Sequence, residues 1–398
     1  MTPLRFFALP GALLGASILS ASAPLQFEKV VLNDQYLADG ISAGDFNRDG
    51  HMDIVCGPYW YEGPGFVRRH EFYPMVPQEL EKHPTDSLFS FVHDFNRDGW
   101  PDILVCGRVK HHEAFWYENP RGDGGLWKKH FVTHRVYGES PELVKPYGDG
   151  EVGLLSHWEG RWGWWRPDPA NPTKPWTFQG VTEVATWAEY YHGSGLGDVN
   201  GDGRPDLVLN DGWWEQPADR TQAWTAHRFR FGARGGAHIL VDDVNGDGRN
   251  DIITALDAHR WGLSWFENVK ADDGSITFRE HRIMGDRTEE PRFGVAFSQP
   301  HALALADLDG DGLNDIVTGK RRWAHGPTGD VEPMAAPVNY WFRLQRDPVQ
   351  GASYTPILID DASGLGTQLT VADVNGDGTP DVLTASKLGA FLFLARKR

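Results

Sequence analysis

Residues 197–209 read GDVNGDGRPDLVL: between Asp198 and Asp206 lie three aspartates, an asparagine and two glycines, and an apolar strand follows at once. The same pattern, D-x-[DN]-x-D-G-x-x-D, returns at Asp45, Asp94, Asp243, Asp307 and Asp373. An eroded seventh copy, KPYGDGEVG from Lys145, keeps only Asp149 and Gly150. A second marker runs in step with the first, an aromatic pair usually followed by an acid: WYEGP at Trp60, WYENP at Trp116, WWRPDP at Trp164, WWEQP at Trp213, WFENV at Trp265 and WFRL at Trp341. FLFLA from Phe391 is its decayed last copy. Two independent markers both count seven, the mark of a repeat architecture.

Each repeat reads as four short strands: one before the acidic motif, one after it, one ending in the aromatic pair and one beyond. Seventeen Trp, 46 Gly and 26 Pro agree with short strands joined by turns. The expected fold is therefore all-β, a seven-bladed β-propeller forming one domain over residues 24–398. The sequence ends after the third strand of the last repeat, while FEKVVLN near the start belongs to no earlier repeat. That N-terminal strand is expected to complete the last blade and close the ring. Cys56 and Cys106 follow the motif one residue out of phase, so strand alternation turns them to opposite faces of neighbouring units, as a disulfide or as two buried thiols.

The acidic motifs explain the charge. Hard cations such as Ca2+ take six to eight oxygens, and side chains at positions 1, 3, 5 and 9 with one backbone carbonyl would wrap one ion. The expected ligands are Asp45, Asn47, Asp49 and Asp53; Asp94, Asn96, Asp98 and Asp102; Asp198, Asn200, Asp202 and Asp206; Asp243, Asn245, Asp247 and Asp251; Asp307, Asp309, Asp311 and Asp315; and Asp373, Asn375, Asp377 and Asp381. The glycine at position 6 permits the turn. Ion-free Asp-Gly turns are the alternative. About six Ca2+ would offset most of the formal net charge of −17. An acidic balance of this origin argues against a nucleic-acid partner.

These six motifs, each followed by an apolar strand, resemble the FG-GAP/VCBS repeats of integrin-type propellers. The resemblance implies the propeller and calcium but no activity. Residues 1–23 carry one Arg, an apolar run from Phe6 to Leu19 and then SASA, the pattern of a cleaved secretory signal. An N-terminal anchor is the alternative, although the run is short for a bilayer. The expectation is a periplasmic or extracellular protein without stable membrane insertion after cleavage; its oligomeric state is not legible.

Chemistry is expected on the face opposite the acidic loops. His192, His238 and His301 stand six, five and six residues ahead of the first Asp of their motifs, at the start of innermost strands. Three imidazoles converging near the axis would hold a catalytic divalent metal such as Zn2+ or Mg2+; channel histidines bonded to backbone or water are the alternative. The off-phase His238 needs a bulge to join them. The same face carries Lys320, Arg321, Arg322 and His325, Asp257, His259 and Arg260, and Arg108, Lys110, His111 and His112, with Glu289, Glu290 and Arg292 leading into repeat six. Tyr190 and Tyr191 offer a proton donor or a sugar-stacking face, or simple packing between blades.

YYHGSGLGDVNGDG, WYENP and TGKRRWAHGPTGD together resemble the propeller domain of aldos-2-ulose dehydratase and its bacterial relatives. The resemblance implies elimination of water from a keto-sugar: proton abstraction beside a carbonyl, a metal or cationic cluster on the enolate, and an acid assisting loss of hydroxide. The roles it implies are His192, His238 and His301 on the metal, Lys320 or Arg322 on the oxyanion, His325 or Glu290 in proton transfer, and Tyr191 as a donor. Fungal members carry cupin domains beyond the propeller and the present sequence ends with its seventh repeat, so no isomerase activity of such a domain is implied. A non-catalytic module binding carbohydrate or protein, and a polysaccharide lyase with an elongated cationic groove, are the competing classes.

Overall fold

A computed structural model describes residues 25–397 apart from 77, 79, 81–84, 86, 108–112, 149 and 237. The expected signal segment, Arg108, Lys110, His111, His112 and Asp149 therefore lie outside the described residues. Seven four-stranded antiparallel sheets form the blades of a propeller, each ordered from the innermost strand outward. The innermost strands are Ile41–Gly44, Phe89–His93, Leu143–Val144, Ser194–Gly197, Leu240–Asp242, Pro300–Ala306 and Leu369–Ala372. Among the described residues the one α-helix is the single turn Glu290–Phe293. Ring closure is as expected: Leu25–Asn33 pairs antiparallel with Gly389–Lys397, from Leu25 opposite Lys397 to Asn33 opposite Ala390.

The core lies between blades. Seven apolar clusters are each built from two adjacent sheets, the seam between blades seven and one included. Cys56 joins the cluster of blades seven and one, and Cys106 that of blades two and three. Both are free buried thiols, so the disulfide reading gives way to the other one: the two side chains pack in different seams. Burial pushes the Cys56 thiol up to about 12.

The ninth motif position has an architectural duty. Asp53, Asp102, Asp206, Asp251, Asp315 and Asp381 are all fully buried. One oxygen accepts the N–H of motif position 2, and the other accepts an N–H just past the aromatic pair, at 2.8–3.3 Å. Each carboxylate thus ties the acidic loop to the third strand of its blade. Burial raises these carboxyls, to about 6 for Asp53 and Asp381 and about 7 for the other four. In the eroded third blade the position is Gly153, where a Cβ would meet the Trp164 side chain at 2.7 Å. The indole fills the space of the missing carboxylate.

The acid after the aromatic pair also acquires a function. In blades one, two, four and five, Trp60, Trp116, Trp213 and Trp265 stack on the directly opposed His70, His130, His227 and His281, with ring centres 4.0–4.2 Å apart. The imidazoles bond Glu62, Glu118, Glu215 and Glu267 at 2.7–3.0 Å. Further along, the side-chain amides of Asn119, Gln216 and Asn268 donate to the carbonyls of Phe46, Pro146 and Val199 in the preceding blade. These bonds staple successive sheets together.

Removing the Asp102 carboxylate strands two buried amides, so Asp102→Ala should lower the unfolding free energy by about 2–5 kcal/mol, whereas Asp123→Ala on the exposed surface should change it by under about 0.5 kcal/mol. Urea denaturation of the two variants measures the difference.

Candidate functional site

Strand one of every blade runs toward its acidic loop, so the segments leading into strand one and the loops joining strands two and three share the opposite face. On that face the structure gathers Glu139, His192, His259 and His301. His192 and His301 precede or open innermost strands, as expected. Glu139 precedes the short strand Leu143–Val144 of blade three, and His259 sits in the loop between strands Asp251–Ala255 and Leu263–Lys270 of blade five.

The polar atoms converge. His192 Nε2 and His301 Nε2 lie 3.1 and 3.0 Å from Glu139 Oε2, and His259 Nε2 lies 3.1 Å from His192 Nε2. A tetrahedral site with bonds of about 2.0–2.1 Å sets its ligand atoms about 3.3 Å apart, close to these separations. Three imidazole nitrogens and one carboxylate oxygen form a donor set suited to a borderline divalent ion. Burial alone would raise the Glu139 carboxyl, but His192 and His301 outweigh it and hold the group well below the usual carboxylate range. Burial and the charge of Arg321 push His301 well below the usual imidazole range.

His238 is not in this cluster. It lies one residue closer to its motif than the other two, is buried with no partner for its Nδ1 among the described residues, and is pushed down by burial to about 4. His259 takes the third place from a loop. The sequence placed His259 on the correct face without pointing to its role, and it offered no signal for Glu139 beyond its position ahead of an innermost strand.

Beside the cluster lies a cavity of about 320 Å3, with Glu139, His192, His259, Arg321 and His325 on its polar side and Phe89, Val136 and Tyr190 among the others. Of the expected catalytic residues, His325 alone lines it. Its Nδ1 is 2.8 Å from Asp330 Oδ1, and Asp330 lies 3.6 Å from His259 Nδ1. Burial would raise the Asp330 carboxyl, yet the nearby His259 imidazole and its bonds from His325 and backbone amides hold it well below the ordinary range.

The others are placed elsewhere. Lys320 is fully buried with Nζ donating to Ser298 Oγ at 2.8 Å, and burial lowers it to about 8. The Arg322 guanidinium lies over the Trp323 ring. Strand alternation instead turns Arg321, between them, toward the axis. Glu290 pairs with Arg287 at 3.3 Å on the short helix, and the Tyr191 hydroxyl donates to Asp211 at 2.7 Å.

On the other face the six acidic loops share one geometry. The position 1 carboxylate accepts the amides of positions 5 and 6, as Asp198 does from Asp202 and Gly203. The position 6 glycines have φ of 81–89°, and position 4 is also left-handed, which explains its glycine in four copies. In blade six, oxygens of Asp307, Asp309 and Asp311 lie within 4.8 Å of one another. There the extra acid Asp309 meets Arg343, which stands where blades one, two, four and five carry glutamate.

An FG-GAP-like repeat model matches residues 243–318, from the acidic loop of blade five into the second strand of blade six, and an FG-GAP repeat model matches residues 365–390 in blade seven. The chain is also similar to integrin alpha-PS3 of Drosophila melanogaster, with 31% identity over 102 residues. That stretch is 23% of this chain and only 8% of the integrin. A chain of the crystal structure of BBS1N in complex with ARL6DN superposes with a TM-score of 0.51 at 9% identity, over 94% of this chain and 97% of that one. Rhamnogalacturonan lyase YesW superposes with a TM-score of 0.44 at 13% identity, over 92% of this chain and 75% of that one. The first of these two superpositions shows a shared fold alone, and the second is too distant to carry an argument about activity.

Metal analysis after loading with Zn2+ should show one strongly held ion that disappears in the His192→Ala/His259→Ala/His301→Ala protein and persists in His238→Ala.

Proposed function

Starting from a seven-bladed propeller that carries FG-GAP repeats, we propose a secreted, metal-dependent carbon–oxygen lyase that removes water from a small keto-sugar on the face opposite the acidic loops. The observation that carries this reading is the convergence of Glu139, His192, His259 and His301 at the wall of a cavity that also presents Arg321 and the His325–Asp330 pair. A volume of about 320 Å3 suits a monosaccharide. The N-terminal pattern of residues 1–23 supports export, and no helix among the described residues is long and apolar enough to cross a membrane.

A divalent ion held by the four side chains would supply Lewis acidity to the substrate carbonyl, taken on as an additional ligand. Asp330 fixes the His325 tautomer by accepting from Nδ1, leaving Nε2 as the base that takes the proton beside the carbonyl. The resulting imidazolium is then stabilised by the same carboxylate. Arg321 meets the negative charge that develops on oxygen. Tyr190, which lines the cavity, would protonate the departing hydroxyl, so that a C–H and a C–O bond are exchanged for a C=C bond and water leaves.

Calcium in the acidic loops is the second part of the proposal, supported by six loops of one geometry and by the −17 net charge. Its role is to neutralise one face of the disc.

Excess chelator should lower the melting temperature by several degrees, and added Ca2+ should restore it; an unchanged melt would overturn the calcium assignment. His325→Ala should lower kcat for small keto-sugars by about 10²–10⁴-fold with metal content unchanged, while Glu290→Gln should leave it near wild type. Ultraviolet absorbance of the unsaturated product reports both. Polysaccharide binding without turnover of any keto-sugar would favour the non-catalytic module.

A further inference from the structure

Arg321 is buried at the end of strand Asp315–Lys320. Its Nη1 lies 3.0 Å from His301 Nε2 and 3.9 Å from Glu139 Oε2, and its Nη2 lies 3.6 Å from Asp39 Oδ2. Asp39, in the segment leading into blade one, is itself buried and accepts the Tyr36 hydroxyl at 2.8 Å. Lys387, in the turn between the second and third strands of blade seven, donates to that hydroxyl at 3.0 Å and sits 4.1 Å from the ring centre. The Asp39 backbone is pinned as well: its N–H donates to Ser87, and its carbonyl accepts from Thr367.

The result is a continuous buried chain, Lys387–Tyr36–Asp39–Arg321–Glu139, running from blade seven through blades one and six to blade three. Buried ion pairs contribute little net stability compared with apolar packing of the same volume, so stability alone is a weak reason for this chain. Its geometry explains more. A cation on the four-ligand cluster would occupy the His301 Nε2 lone pair and deprive Arg321 of that partner. Of the two carboxylates then left to it, Glu139 belongs to the ligand set and Asp39 does not.

We propose that Asp39 is a positioning residue, which holds the Arg321 guanidinium at the rim of the cluster so that it faces an anionic oxygen in the cavity. The inference rests on the metal-dependent reading for its chemical consequence but not for the contact itself. Tyr36 and Lys387 fix the carboxylate from behind, outside the cavity lining.

Two measurements on the purified protein test this. In 15N-arginine-labelled protein without added metal, one guanidinium Nη–H signal, assigned by its loss in Arg321→Lys, should exchange slowly with solvent, and Asp39→Asn should speed that exchange by about tenfold or more. An unchanged rate would overturn the proposal. In Co2+-loaded protein, oxalate serves as a planar probe with two anionic oxygens. Asp39→Asn should weaken oxalate binding about tenfold, Arg321→Ala at least as much, and the double variant no more than Arg321→Ala. The visible Co2+ spectrum and stoichiometry should not move in Asp39→Asn. Wild-type oxalate affinity in Asp39→Asn, beside a weakened Arg321→Ala, would also overturn it. Tyr36→Phe, which keeps the carboxylate and loses one bond to it, should fall between wild type and Asp39→Asn and covers the case that the latter does not fold. A wild-type protein that takes up no Co2+ would overturn the metal-dependent reading, and the exchange rates would still decide the role of Asp39.

Discussion

In six of seven blades a buried aspartate at the ninth motif position bonds two backbone amides, one in its own acidic loop and one on the third strand. A dehydrated carboxylate is costly unless its oxygens are matched, and here each oxygen is matched by a fixed N–H. That one interaction sets where the loop sits relative to the sheet. It thereby sets where the innermost strand starts on the opposite face. The one blade without it substitutes an indole for the carboxylate and has the shortest innermost strand, Leu143–Val144.

The two faces of the disc consequently divide the labour. One repeats itself: acidic loops recur in six blades, stacked Trp–His–Glu groups in four and amide staples in three. The other is different in each blade. Blade three contributes Glu139, blade four His192, blade five His259, and blade six His301, Arg321 and the His325–Asp330 pair. Blade one sends Asp39 across to Arg321. A rigid repeated scaffold lets these eight side chains from distant parts of the chain meet in one continuous network, which is what a preorganised polar centre requires.

Charge follows the same division. The acidic face concentrates carboxylates, some of them paired with arginines such as Arg121 on Asp98 and Arg249 on Asp247, whereas the opposite face alternates acid and base along one buried line. Arg343 beside Asp309 shows the balance at the scale of one residue: in blade six the extra acid of the motif is paired with an arginine.

Seven repeats, four strands in each, and ring closure by Leu25–Asn33 were all legible in the sequence. They depend on local patterns, a nine-residue loop and an aromatic pair, whose period the chain displays directly. His192 and His301 were legible for the same reason, since equal spacing from equivalent loops gives equivalent places in equivalent blades. Only the tertiary structure decided that His259 and not His238 completes the cluster, that Glu139 joins it, and that Arg321 faces the axis while Lys320 and Arg322 do not. Those choices turn on which way a side chain points at a strand end and on how deep a loop reaches across the channel. Both are set by contacts between blades remote in sequence, and a one-residue change of phase reverses them.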